Sequence, residues 1–84
     1  MKKITIYTTS ICPYCIRAKA LLDRKGYAYE EINVENEEIR NEMIKKAGGM
    51  RSVPQIFIGD QHIGGCDDLY DLDKQGKLDI LLKT

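Results

Sequence analysis

The sequence predicts an α/β fold: a four-stranded mixed sheet flanked by helices. Three observations carry that expectation. Short runs rich in β-branched and aromatic residues alternate with longer runs of helical apolar spacing, in the order βαβαββα with one further helical turn. The first strand, helix and strand occupy about thirty residues, the length of a βαβ crossover, which makes the two strands parallel neighbours. Later, a two-residue glycine–aspartate turn joins two strands as a tight hairpin, which makes that pair antiparallel.

Taken in order, Ile4, Ile6 and Thr8 alternate with Thr5, Tyr7 and Thr9 in the first strand. The helix that follows carries Cys15, Ala18, Leu21 and Leu22 on one stripe, with Arg17, Asp23 and Arg24 outside it. Lys25-Gly26 ends it, the lysine against the negative end of the dipole and the glycine in the left-handed cap position. A second strand is expected from Ala28 to Val34. Asn36 caps the next helix, which has Glu37 and Glu38 in its first turn, Lys45 and Lys46 in its last, and a buried stripe of Ile39, Met43, Ile44 and Ala47. Gly48-Gly49 breaks it, and Arg51-Ser52-Val53-Pro54 leads to a third strand, Gln55 to Ile58. The Gly59-Asp60 turn returns the chain along Gln61 to Ile63. Gly64-Gly65-Cys66-Asp67-Asp68 runs into a helix ending at Gly76, and Leu78, Leu81 and Leu82 mark a last short helix laid back on the sheet.

With 84 residues the chain is expected to form a single domain, 1–84. Thirteen basic residues balance thirteen acidic ones, so no global field recruits nucleic acid or an anionic membrane. No apolar run approaches the length of a spanning helix, and Met1-Lys2-Lys3-Ile4 leads into an alternating strand rather than a signal-peptide core. A cytoplasmic monomer is the expectation. Three cysteines, an odd number, argue against a closed disulfide framework and for thiols kept reduced.

The chemistry concentrates at Cys12-Pro13-Tyr14-Cys15, where a strand turns into a helix. The first amides of a helix lack intrahelical partners and carry partial positive charge, so a sulfur there is favoured as thiolate. Proline suits the first helical position, where its missing N–H costs nothing. Cys15 lies one turn on along the same face, within reach of a disulfide. The spacing alone leaves two readings open, a redox pair or half of a zinc site.

Three motifs at matching spacing resemble the glutaredoxin family over essentially the whole chain: Cys12-Pro13-Tyr14-Cys15, Ser52-Val53-Pro54, and Gly64-Gly65-Cys66-Asp67-Asp68. The resemblance implies a thioredoxin-like fold and a glutathione-dependent thiol–disulfide oxidoreductase, with no bound cofactor and glutathione as reductant. It implies a cis Val53-Pro54 bond facing the cysteines and a Val53 backbone that pairs with glutathione as an added strand would. Cys12 and Cys15 are then the catalytic pair. Tyr14, Arg51, Ser52, Val53, Pro54, Gly65, Cys66 and Asp67 form the glutathione site, with Asp67 taking the ligand's ammonium and Asp68 complementing the helix dipole. Implied partners are disulfide-containing or glutathionylated proteins, ribonucleotide reductase among them. One departure stands out: many glutaredoxins carry lysine three residues before the first cysteine, and here that residue is Thr9. Arg51 is the candidate to supply the missing charge.

Other readings remain. A redoxin recharged by thioredoxin reductase would keep the cysteines without the glutathione site. Cys12, Cys15, His62 and Cys66 have acceptable spacing for zinc, although His62 is expected to face solvent from its hairpin strand. An iron–sulfur cluster could bridge two subunits through Cys12 and glutathione, a possibility that the stiff Pro13 disfavours.

Overall fold

The structure, a computed structural model, describes residues 2–83; Met1 and Thr84, the ends of the expected 1–84 domain, lie outside the described residues. The elements run β1 (Ile4–Thr8), α1 (Pro13–Arg24), β2 (Glu30–Asn33), α2 (Glu37–Lys46), β3 (Gln55–Ile58), β4 (Gln61–Gly64), α3 (Cys66–Lys74) and α4 (Lys77–Lys83). This is the predicted order. β2 is shorter than the expected Ala28–Val34, because it is an edge strand that pairs only with β1, in parallel from Thr5–Glu30 to Thr8–Asn33. Val34 lies past its end, yet is buried and donates its N–H to the Thr8 carbonyl at 2.8 Å.

The sheet order is β2-β1-β3-β4, with β3 antiparallel to both β1 and β4. β3 is therefore central, and all four of its residues are buried. The β3–β4 turn is Gly59-Asp60, with Gly59 in the left-handed region at φ 58°. Helices cover both faces, as the apolar stripes require. On one face Ala18, Leu21, Leu22, Leu69, Leu78 and Leu82 pack on Ile4, Ile6, Ile56 and Ile58. On the other, Met43 of α2 and Ala47 just past its end pack with Val34 on Tyr7 and Phe57.

The two-residue turn sets Ile58 opposite Gln61 and Phe57 opposite His62, and the register slips only beyond that pair, where Ile56 stands opposite Gly64. This corrects the expectation for His62. Its ring is half-buried and lies 4.9 Å from the Phe57 ring, because directly opposed residues share a face of the sheet and Phe57 turns its ring to the face that α2 covers.

Candidate active site

β1 ends at Thr8 and α1 begins at Pro13, so Cys12 falls at the N-cap with extended backbone, φ −153° and ψ 99°. In that position its Sγ accepts the Cys15 backbone N–H at 3.1 Å, one of the amides a helix start leaves without an intrahelical partner. Cys12 and Cys15 are joined in a disulfide, with Cα atoms 5.2 Å apart. Both are buried, whereas Tyr14 between them projects into solvent.

Facing this turn is the loop before β3. Val53-Pro54 is cis, as the resemblance implies. The Val53 carbonyl oxygen is 3.8 Å from Cys12 Sγ, although 41 residues separate the two in sequence. A groove of about 260 Å³ opens beside them, lined by Tyr14, Met50, Ser52, Val53, Pro54, Gly65, Cys66, Asp67 and Asp68. Its far wall is the start of α3.

At that helix start the two acids behave differently. Asp68 Oδ2 accepts the Gly65 N–H at 3.0 Å and so closes the first turn. Asp67 is exposed, and no hydrogen bond or ion pair engages its carboxylate among the described residues. Cys66 is only 4% exposed, and burial, chiefly, pushes its thiol pKa up. The neighbouring Arg17 guanidinium partly offsets that shift and Asp67 adds to it.

Seven of the expected glutathione-site residues thus line one groove: Tyr14, Ser52, Val53, Pro54, Gly65, Cys66 and Asp67. Arg51 does not line it and is exposed beside Ser52. Met50 was missed by sequence reasoning; an apolar residue in a glycine-rich loop before Arg51 carries no local signal. Arg17 and Tyr70 were missed as well. The Arg17 guanidinium lies 5.8 Å from the Tyr14 ring and 5.6 Å from the Tyr70 ring, while the Tyr70 hydroxyl donates to the Arg17 carbonyl at 2.8 Å. The guanidinium thus lies over both rings, a cation–π contact that joins α1 to α3 beside Tyr14. No three His, Cys, Asp or Glu side chains converge on a metal-sized site among the described residues, so the considered set Cys12, Cys15, His62 and Cys66 is not brought together.

Comparison with known proteins agrees with this geometry. The glutaredoxin family model matches residues 4–63. The chain belongs to the glutaredoxin family. It is 58% identical to glutaredoxin 1 of Rickettsia conorii, covering 96% of this chain and 81% of that relative. The solution structure of a Brucella melitensis glutaredoxin superposes with a TM-score of 0.88 at 55% identity, covering 100% of this chain and 91% of that one. A buckwheat glutaredoxin–glutathione complex superposes with a TM-score of 0.87 at 34% identity, covering 98% and 77%. Glutaredoxins are oxidoreductases of thioredoxin-like fold, and the Cys12–Cys15 pair is the disulfide-capable couple that such chemistry uses.

Proposed function

We propose that this glutaredoxin reduces glutathione mixed disulfides and protein disulfides with glutathione as its electron donor. The observation that carries the proposal is a helix-capping Cys12 sulfur beside the Val53 carbonyl, at one end of a groove whose other end is the start of α3. An extended γ-linked tripeptide suits such a groove. Its cysteine main chain pairs with Val53, while the amides at the start of α3 receive the γ-glutamyl carboxylate and Asp67 its ammonium. Arg51 offers the glycyl carboxylate a charge from outside the groove wall, in the absence of a lysine at Thr9; Arg51→Ala should raise the KM for glutathione, and an unchanged KM would dismiss that role. The buckwheat complex supports the ligand assignment.

In the first route the Cys12 thiolate attacks the glutathionyl sulfur of a mixed disulfide. The substrate S–S bond breaks, the partner leaves as a thiolate and takes a proton, and Cys12–S–SG remains. A second glutathione thiolate attacks the glutathionyl sulfur, giving oxidised glutathione and restoring the Cys12 thiolate. In the second route Cys12 attacks a protein disulfide to form a mixed disulfide, and the Cys15 thiolate then attacks Cys12 Sγ. That step releases the protein's second thiol and forms the Cys12–Cys15 bond, which two glutathiones reopen. Helix-start amides stabilise the Cys12 sulfur each time it departs as an anion. Glutaredoxin potentials of about −200 to −230 mV suit a glutathione pool as donor.

A cytoplasmic monomer acting on disulfide-bonded or glutathionylated proteins, with ribonucleotide reductase as one candidate, belongs to the same reading. No described helix is long and apolar enough to cross a membrane. The test is a coupled assay with glutathione, glutathione reductase and a small glutathione mixed disulfide. Turnover is expected; turnover only when thioredoxin reductase replaces the glutathione system would refute the proposal.

A further inference from the structure

Gln55 is a polar residue at 0% exposure, opening the central strand directly after the cis proline. Such a group is costly unless its hydrogen bonds are made. They are. Its Nε2 donates to the Ser52 carbonyl at 2.9 Å and contacts the Ser52 hydroxyl at 3.3 Å, and its Oε1 lies 2.6 Å from His62 Nε2. The chemistry of the donors assigns the protons. A carbonyl only accepts, so the Gln55 –NH2 must face Ser52 and its oxygen must face His62. His62 Nε2 therefore carries a hydrogen and donates it. The ring is held at that angle by its contact with Phe57.

The far end of this chain is a peptide plane that matters. In a trans peptide the carbonyl and the next N–H point in opposite directions. The only cis bond among the described residues is Val53-Pro54, so the Ser52–Val53 peptide is trans. Gln55 pins the Ser52 oxygen toward the protein interior, which aims the Val53 N–H away from it. Val53 lines the groove, and its carbonyl is the atom beside Cys12 Sγ.

We infer that His62 and Gln55 form a positioning relay that sets the Ser52–Val53 peptide for pairing with the main chain of a bound thiol peptide. The inference rests on the proposed glutathione site and adds two residues that touch neither the ligand nor the sulfur. Neither residue shapes the cysteines, so a ligand with no peptide backbone should be indifferent to the relay.

That contrast supplies the test. His62→Phe keeps a ring on Phe57 and removes the donor; Gln55→Met keeps the buried volume and removes the bonds to Ser52 and to His62. Each should raise KM for a glutathione mixed disulfide about three- to tenfold, the worth of one or two misaligned main-chain hydrogen bonds. The kcat should stay within about twofold, since the reacting sulfurs are untouched. The rate at which dithiothreitol opens the Cys12–Cys15 disulfide should equal that of the parent chain, which also shows that the fold stands. Unchanged KM in either folded variant would overturn the relay, as would an equal slowing with dithiothreitol. A second measurement leaves the relay residues intact: with Cys12 glutathionylated in Cys15→Ser, the Gln55 side-chain amide and His62 Nε2–H resonances should shift, and their constancy would overturn it. A parent chain that dithiothreitol reduces but glutathione does not serve would overturn the proposed function and the relay together, whereas an active parent with unchanged variants overturns the relay alone.

Discussion

The two acids at the start of α3 are adjacent and equally charged, yet the structure engages only the Asp68 carboxylate in a hydrogen bond, and a pair of alanine substitutions separates that role from the one proposed for Asp67. Asp67→Ala and Asp68→Ala remove the same charge from the same helical turn, so the loss of helix-dipole stabilisation, about 0.3–1 kcal/mol, largely cancels between them. What remains in the Asp68 variant is the bond from the Gly65 N–H, made at 3.0 Å. Losing a helix-start cap costs about 1 kcal/mol, and in a domain of this size that lowers Tm by about 4–8 °C. What distinguishes the Asp67 variant is loss of the partnership with the ligand's ammonium that the proposed function assigns to Asp67. Asp67 is exposed, so solvent screening holds that pairing to about 1 kcal/mol, or about a fivefold rise in KM for glutathione. Thermal unfolding and the coupled glutathione assay at low and at raised salt read both quantities. The Asp68 variant should be the less stable of the two, and the Asp67 variant should have the higher KM, with the KM gap narrowing as salt rises. If Asp67→Ala leaves KM where Asp68→Ala leaves it, the assignment of the ammonium to Asp67 is wrong; if the two melt together, so is that of the cap to Asp68.

Three further outcomes follow from the same geometry. Cys15→Ser should keep turnover of glutathione mixed disulfides and lose most reduction of protein disulfides, because only the second route needs an internal resolving thiol; loss of both activities would contradict the division of labour. In the reduced protein, iodoacetamide near neutral pH should label Cys12 before Cys66, whose buried thiol has a raised pKa, and peptide mapping that found Cys66 first would reverse the ranking. At the opposite end of the molecule, the Tyr27 hydroxyl and Lys25 ammonium both donate to Asp79 and hold its carboxyl pKa down, while the Lys25 pKa is raised by its bonds to Asp73 and Asp79 and the Tyr27 pKa by its bond to Asp79. A depressed acid stabilises the fold above its unfolded value near 3.8 and loses that contribution as pH falls through the folded value. The raised Lys25 and Tyr27 stabilise it below about 10 and lose their contributions as pH climbs through their folded values. Asp79→Asn should therefore flatten the acid limb of a Tm–pH curve, and an unchanged acid limb would show that the cluster does not contribute.

Much of this was legible in the sequence because the signals are local. A strand's alternation, a helix's apolar stripe, the Asn36 cap and the Gly59-Asp60 turn are each decided within a few residues, and Asn36 Oδ1 does accept the Glu38 and Ile39 N–H groups at 2.9 and 3.2 Å. The Cys12 sulfur at a helix start is of the same kind, since the strand, the proline and the helix that define it are consecutive. Resemblance supplied the groove's membership, and the structure gathers seven of those residues while leaving Arg51 outside the lining. Gln55 was partly legible: a glutamine opening an otherwise apolar central strand must find partners if it is buried, although which partners it finds is not written nearby.

By itself, the sequence determined the order of elements and the place of Cys12 and Cys15 at a helix start, because each depends on neighbours in the chain, while the redox reading of that pair came with the family resemblance. Only the tertiary structure decided that Arg51 stays outside the groove lining, that Asp67 is left unengaged while Asp68 closes a turn, and that His62 reaches inward to Gln55. Those outcomes depend on strand order, on the pairing of His62 with Phe57 on the face that α2 covers, and on which loops the sheet brings to one end. Contacts across forty residues are chosen by packing the whole core, and no short stretch carries that information.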